Sequence, residues 1–147
     1  MNFFKSSLNI TLLSLLTCTG LAAPVLATPD SDNSVRDAIL EGNVDNGGSR
    51  KIQGDVTATD DLKDFRQFTL TGNSNLRITG QGVAPNGGRT NLSLLNASGQ
   101  VIAKSSGSFS HSFTRKNLAK GNYIIVVESA QFNADKIKYQ VTVDARG

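Results

Sequence analysis

Apolar and polar residues alternate with a period of two from residue 50 to the end of the chain. Phe68 and Leu70 alternate with Gln67 and Thr69, and the same pattern returns in every later apolar segment. Because successive side chains of a β-strand point to opposite faces, each segment can turn one face to a core and the other to water. The clearest further segments are 76–80, 92–94, 101–103, 123–127 and 137–143. The pattern predicts seven or eight short strands.

Turn-forming residues fall between these segments, at 72–73, 85–88, 106–107 and 120–122. The run from Asn96 to Gly99 separates two alternating segments and predicts a hairpin. Ile124 and Val126 make the segment 123–127 apolar on both faces, which is typical of a central strand. We therefore expect an all-β fold, a two-sheet antiparallel β-sandwich of the jelly-roll kind, with a barrel as the alternative.

The first 27 residues have the layout of a cleavable signal peptide. Lys5 precedes an apolar stretch at 8–16, and small residues lead to a cleavage point after Ala27. An uncleaved anchor and lipidation at Cys18 are the alternatives. Since Cys18 is the only cysteine, residues 28–147 can form no disulfide. The protein is expected to be secreted or periplasmic, without membrane attachment unless Cys18 is lipidated.

Residues 28–49 contain few large apolar side chains and many Asp, Asn, Gly and Ser residues. This composition predicts a flexible arm or linker. Ser34 and Asp37 have the spacing of a capping box and Gly42 can end a helix, so one short helix is expected within the arm. The sandwich domain is predicted to span residues 50–147. The formal net charge of only +3 gives no electrostatic basis for binding nucleic acid.

Three stretches resemble the bacterial pre-peptidase C-terminal domain family, a β-sandwich often attached to secreted peptidases. They are DFRQFTLTG at 64–72, LLNASGQVIA at 94–103 and LAKGNYIIVV at 118–127. The sequence departs from the family pattern at Arg66, where an aromatic residue is usual, and at 90–93, where acidic residues are frequent. The resemblance implies an exported, non-catalytic module that binds or assists an extracytoplasmic protein or polysaccharide. It also implies calcium as a candidate ligand, since some relatives in collagenases bind it.

No arrangement of residues typical of an enzyme is visible. His111 is the only histidine, and strand geometry places Ser110 and Ser112 on the face opposite to it. On this parity His111 shares its face with Phe109 and Phe113, so a Ser-His-Asp arrangement is not expected. We predict that the chain is not an enzyme, with a secreted hydrolase of unrecognised site as the alternative.

Acidic residues before the strand at 64–70 are the candidate metal ligands. Asp60, Asp61 and Asp64 crowd one loop, and calcium prefers such oxygen ligands. We nevertheless favour a solvated turn whose acids are balanced by Lys63 and Arg66, because the ligand spacing of an EF-hand is not seen. Further acids lie along the arm, which could fold back on this loop: Asp30, Asp32, Asp37, Glu41 and Asp45. No other cofactor is expected.

Surface aromatic residues could also bind a ligand. Most of the aromatic residues after residue 27 lie on the core-facing parity, and Phe65 and Phe132 are the two expected exceptions. Packing roles, in the core or covering a sheet, are expected for both residues, with ligand binding as the alternative, because an isolated exposed aromatic side chain is ordinary.

Overall fold

The computed structural model describes residues 31–83, 88–131 and 136–147. The predicted signal peptide, Cys18 and Phe132 lie outside these residues. Within them the chain forms nine strands and no helix. The strands are β1 (Ile39–Val44), β2 (Ser49–Val56), β3 (Lys63–Leu70), β4 (Ser74–Gly82), β5 (Thr90–Asn96), β6 (Val101–Ser108), β7 (Ser110–Leu118), β8 (Gly121–Ser129) and β9 (Ile137–Arg146).

The strands form two sheets that pack face to face. One sheet has the order β1-β3-β8-β5-β6 and the other the order β2-β9-β4-β7. Neighbouring strands are antiparallel, except that β1 runs parallel to β3. This arrangement confirms the predicted all-β sandwich, but its described part has nine strands where seven or eight were expected, because β1 from the arm adds a parallel strand. The central position of β8 in its sheet also confirms the interpretation of a strand that is apolar on both faces.

The core lies between the sheets and consists of the inward-facing residues of the alternating segments. Phe68 of β3 is fully buried and stacks on Tyr123 of β8, with ring centroids 5.9 Å apart. Burying one large apolar side chain stabilises the fold by about 1.5–3 kcal/mol relative to leaving it exposed. The same core includes Ile52, Leu70, Leu76, Ile78, Leu92, Leu94, Ile125, Val127, Ile137, Val141 and Val143.

The turn between β5 and β6 has the expected chemistry. The side-chain oxygen of Asn96 accepts hydrogen bonds from the backbone N–H groups of Ser98 and Gln100, at 3.2 and 2.9 Å. Gly99 adopts a φ of +78°, a conformation that favours glycine. The predicted hairpin is therefore confirmed.

The segment before β2 differs from its prediction, because it contains a strand and no helix among its described residues. Ser34 and Asp37 close a turn, in which the Ser34 hydroxyl donates to the Asp37 carboxylate at 2.7 Å. The chain then enters β1, whose backbone pairs with β3. Pairing with a distant strand outweighs the local capping pattern, so the helix prediction is wrong. The sandwich includes β1 and thus begins at Ile39.

A second apolar cluster lies on the outer face of the five-stranded sheet. It consists of Leu95, Ile124 and Val126, and we call it the outer cluster. Phe65 and Ala38 pack against it. Ala38 belongs to the loop at residues 33–38, which we call the strap.

No helix in the described part of the chain is long and apolar enough to cross a membrane.

Candidate functional site

The outer face of the four-stranded sheet carries a groove with a volume of about 320 Å³, which we call the polar groove. Strand register builds it, because Thr79 of β4 lies opposite Ser112 of β7 and Thr142 of β9. Gln81 likewise lies opposite Ser110 and Gln140. These six side chains line the groove and all carry hydroxyl or amide groups.

Two further contacts extend the polar groove. Gln53 of β2 donates a hydrogen bond to Gln140 at 3.1 Å, so the row of amides reaches the edge strand. Arg77 adds a positive charge to the lining, in register with Asp144 of β9. Hydroxyl and amide groups both donate and accept hydrogen bonds. The groove can therefore bind a ligand rich in hydroxyl groups without requiring a particular charge.

His111 borders this groove from the interior, where its side chain is only 2% exposed. Nε2 lies 3.0 Å from the Thr90 hydroxyl oxygen, and Nδ1 lies 2.9 Å from that of Ser105. Burial lowers the pKa of His111. Ser110 and Ser112 face outward, on the opposite side of β7, as predicted.

The surroundings of His111 do not form a catalytic triad. Ser105 is close enough to hydrogen-bond the ring, but a triad also needs an acid that orients the histidine. Both ring nitrogens are engaged by hydroxyl groups, and neither contacts a carboxylate among the described residues. The geometry thus gives a buried, hydrogen-bonded histidine and no support for the hydrolase alternative.

One aromatic residue, Phe109, departs from its expected position. Phe109 was expected to face the core with His111, but it is 53% exposed, because the chain bends there between β6 and β7. The Arg89 guanidinium carbon lies 5.3 Å from the centre of the Phe109 ring, a cation–π contact. Phe65 lies on the outer face of its sheet, as its parity predicts, and packs against the outer cluster, which is the packing role expected for it.

A second candidate site is an acidic cluster at one end of the sandwich. Carboxylate oxygens of Asp32, Asp61 and Asp64 all lie within 4.8 Å of one another, and the three residues are buried. The loop before β3 is shaped by Thr57, whose hydroxyl oxygen accepts the backbone N–H of Asp61 at 2.9 Å. The structure brings together two of the predicted metal ligands. Asp60 is exposed and lies outside the cluster.

The third carboxylate of the cluster, Asp32, comes from the arm. The sequence indicated Asp32 only as one of five acids in the arm that could fold back on the loop before β3. A sharper signal was present at Asp64 and Arg66, which share the core-facing parity of Phe68 and Leu70. Charged residues on the buried face of a strand are almost always paired. The alternating pattern could therefore have identified a buried ionic site.

Arg66 lies at the centre of this site, with its side chain 10% exposed. Its guanidinium lies 3.1 Å from Asp32, 3.0 Å from Asp64 and 3.4 Å from Glu41. Burial acts to lower the pKa of Arg66, but Tyr139 and the carboxylates of Asp64 and Asp32 outweigh it, so the pKa lies above its usual value. Arg66 is therefore positively charged at every accessible pH.

Tyr139 of β9 completes the site by donating a hydrogen bond from its phenol to Asp64. Burial, reinforced by the Asp64 charge, raises the pKa of Tyr139, so the phenol stays protonated. Gly54 of β2 makes room for this contact. A Cβ there would lie 2.6 Å from the nearer Asp64 oxygen and 2.7 Å from the Cζ atom of Tyr139. No side chain larger than hydrogen fits this position without displacement.

The expectation of a solvated, balanced turn is wrong in two respects, although Arg66 does pair with Asp64 as expected. Asp61 and Asp64 are buried, and Lys63 pairs at 2.9 Å with Glu128 on the neighbouring strand. The carboxylate oxygens of the acidic cluster are the ligands that a hard cation prefers, although Arg66 already pairs with Asp32 and Asp64. Asp32, Asp61 and Asp64 are the residues that would hold such an ion.

Comparison with solved structures places the chain in a known fold. The pre-peptidase C-terminal domain of a collagenase from Bacillus anthracis superposes with a TM-score of 0.53 at 15% identity, covering 73% of this chain and 96% of that domain. The sandwich thus has the fold of a pre-peptidase C-terminal domain, as the resemblance implied. At this identity the likeness shows the fold alone.

Two other solved structures are similar to a lesser degree. The periplasmic g-type lysozyme inhibitor PliG of Aeromonas hydrophila has a TM-score of 0.46 at 16% identity, over 74% of this chain and 99% of that one. The mitogen of Yersinia pseudotuberculosis has a TM-score of 0.47 at 11% identity, over 67% and 86%. No protein-family model matches the sequence, and comparison with curated proteins finds no match.

Proposed function

We propose that this chain is an exported, non-catalytic module that binds a polysaccharide outside the cytoplasm through the polar groove. Export is supported by the signal-peptide pattern of residues 1–27. Binding is supported by the groove itself, in which side chains from three strands present hydroxyl and amide groups along one face. That lining is the observation on which the proposal depends.

The chemistry of the groove favours a sugar polymer over a compact small molecule. Pockets for small molecules are typically about 300–1,000 Å³ and lined mainly by apolar side chains. The polar groove lies at the lower end of this range and is lined by Thr, Ser and Gln. Such side chains match the hydroxyl groups of a sugar chain lying along the sheet. A protein partner, the alternative, would more often meet aromatic anchors.

The test is co-sedimentation of the protein with insoluble peptidoglycan, chitin, cellulose and xylan. A double variant, Gln81→Ala with Gln140→Ala, removes two amides from the groove. Each lost hydrogen bond costs about 0.5–1.5 kcal/mol, so affinity should fall on the order of tenfold. Gln67→Ala is the matched control, since Gln67 lies on the outer face of the other sheet. Equal binding by the double variant and the control would exclude the groove, and no binding to any of the four polymers would favour a protein partner.

A second candidate is that calcium stabilises the module at the acidic cluster. The specific observation is the meeting of Asp32 from the arm with Asp61 and Asp64 from the sandwich. An ion held there would link the arm to the sandwich through oxygen ligands. Because a ligand that binds only the native state raises its stability, calcium should raise the melting temperature above the value in a chelator.

Two variants make this calcium test specific. Asp61→Asn should abolish the rise, whereas Asp60→Asn should leave it unchanged, because Asp60 lies outside the cluster. At a concentration of 100 times the dissociation constant the stabilisation would be about 2.7 kcal/mol. Equal melting temperatures of the unmodified protein in calcium and in chelator would exclude the candidate.

A further inference from the structure

The strap leaves and rejoins the same edge of the five-stranded sheet. The backbone oxygen of Asp32 accepts a hydrogen bond of 3.0 Å from Phe65 of β3, and Ile39 is in register with Arg66 of the same strand. Both ends of the strap are thus held beside β3. The residues between them extend over the outer face of the sheet.

The strap lies over the outer cluster. Ala38 packs against this cluster, and Val35 reaches the β5–β6 turn, where its Cγ2 lies 3.6 Å from the position of a Cβ on Gly99. Ile124, at the centre of the sheet, is only 2% exposed although it points away from the main core. An apolar surface on the outer face of the sheet is therefore kept from water.

One side chain contacts both ends of the strap. The Arg66 guanidinium lies 3.1 Å from Asp32, just before the strap, and 3.4 Å from Glu41, just after it. Its third partner is Asp64, on the same strand, at 3.0 Å. The planar fork of an arginine can serve three carboxylates at once, which the single ammonium of a lysine does less well. These contacts connect the two ends of the strap through a charge on β3.

We propose that Arg66 is a staple that closes the strap over the outer cluster, and that breaking its ion pairs opens the strap while the sandwich remains folded. One row of residues paired in register runs across all five strands of this sheet: Leu40, Gln67, Ile124, Leu95 and Val101. Leu40 and Val101, at its ends, are 66% and 53% exposed. Opening the strap exposes the outer cluster that lies between them, with Gln67 as the one polar member of the row. The ion pairs of Arg66 thus control whether solvent reaches the outer cluster.

This role accounts for an arginine on the core-facing side of β3, at position 66. An aromatic side chain there could pack but could not bind Asp32 and Glu41. Arginine does both, because its stem packs and its charged end forms ion pairs. The device does not depend on the proposed sugar-binding function of the opposite sheet.

The test is hydrogen exchange followed by mass spectrometry, in a chelator so that no divalent cation contributes. Arg66→Gln is compared with Lys63→Gln, which removes the exposed ion pair with Glu128 on the same strand. In Arg66→Gln the strap amides should exchange at least about tenfold faster, while the amides of β4 and β9 keep their protection. Binding of an apolar fluorescent dye should rise together with the strap exchange. Lys63→Gln should change neither readout.

Two milder variants keep the test decisive if Arg66→Gln does not fold. Arg66→Lys retains the charge without the fork, and Glu41→Gln removes one of the three ion pairs. Each should accelerate exchange in the strap by a smaller factor. The proposal is overturned if strap exchange in folded Arg66 variants matches that of the unmodified protein. It is equally overturned if protection falls uniformly across the sandwich, because Arg66 would then only stabilise the fold as a whole.

Discussion

The outer faces of the two sheets differ in their residue composition and in whether a loop covers them. The four-stranded sheet lines the polar groove with the half-buried Thr79 and Thr142 and the exposed Gln81. The five-stranded sheet carries Ile124 and Val126 at its centre, and these residues are buried although they point away from the core. An outer face can stay open where it is polar. Where it is apolar, it needs a cover, and here a loop outside the strands supplies it.

The covering loop requires a different kind of interaction from the core. Ala38 and Val35 are small, so the strap contributes little apolar area of its own. Charges at its base, centred on Arg66, provide the attachment. Buried ion pairs offer weak net stabilisation but are strongly destabilising when one partner is removed. Ion pairs thus hold the loop that covers the apolar outer face, whereas the polar outer face needs no covering loop.

The largest expected effect that tests this comparison is on the covered face. Ile124→Ala removes a buried side chain from the outer cluster and should reduce the free energy of unfolding by about 2–5 kcal/mol. Thr142→Ala is the matched change on the outward face of the other sheet, and should alter it by no more than about 0.5 kcal/mol. Urea unfolding of both variants provides the measurement. If the two substitutions have similar effects, the outer cluster is not a second core and the comparison fails.

Most of the sandwich could be predicted from the alternating pattern. The inward set of β3, β5, β8 and β9 follows from residues such as Phe68, Leu92 and Val141, which recur at every second position. Ile124 and Val126 even indicated a central strand. These predictions succeed because strand period and burial are local consequences of side-chain direction.

The parts that sequence reasoning missed depend on long-range contacts. β1 pairs in parallel with β3, and its segment ILEGNV shows no clean alternation. Its hydrogen bonds depend on a partner strand far along the chain, which no local pattern encodes. The acidic cluster likewise needs the arm to fold back, so Asp60 and Asp61 could not be told apart by spacing alone. The polar groove arises from register between three strands that are distant in sequence.

A smaller effect is expected from His111, which shows how polar groups are accommodated beneath the open face. This residue faces the interior below the polar groove, and hydroxyl groups of Thr90 and Ser105 satisfy its two ring nitrogens. Because burial lowers its pKa below the ordinary 6.5, the unfolded chain takes up a proton more readily than the folded one. The contribution of His111 to stability is therefore complete above pH 6.5 and declines as the pH falls through that value.

The pH dependence of melting tests this account of the interior. Between pH 7.5 and 5.5 the melting temperature of the unmodified protein should fall by a few degrees, and His111→Gln should flatten the decline, since glutamine does not titrate. The absolute stability of this variant is not the criterion, because its hydrogen bonds to Thr90 and Ser105 will differ. The change in melting temperature across the interval is the criterion. If both proteins lose the same number of degrees, other groups are responsible for the decline, and the interior beneath the polar groove tolerates a charged imidazole.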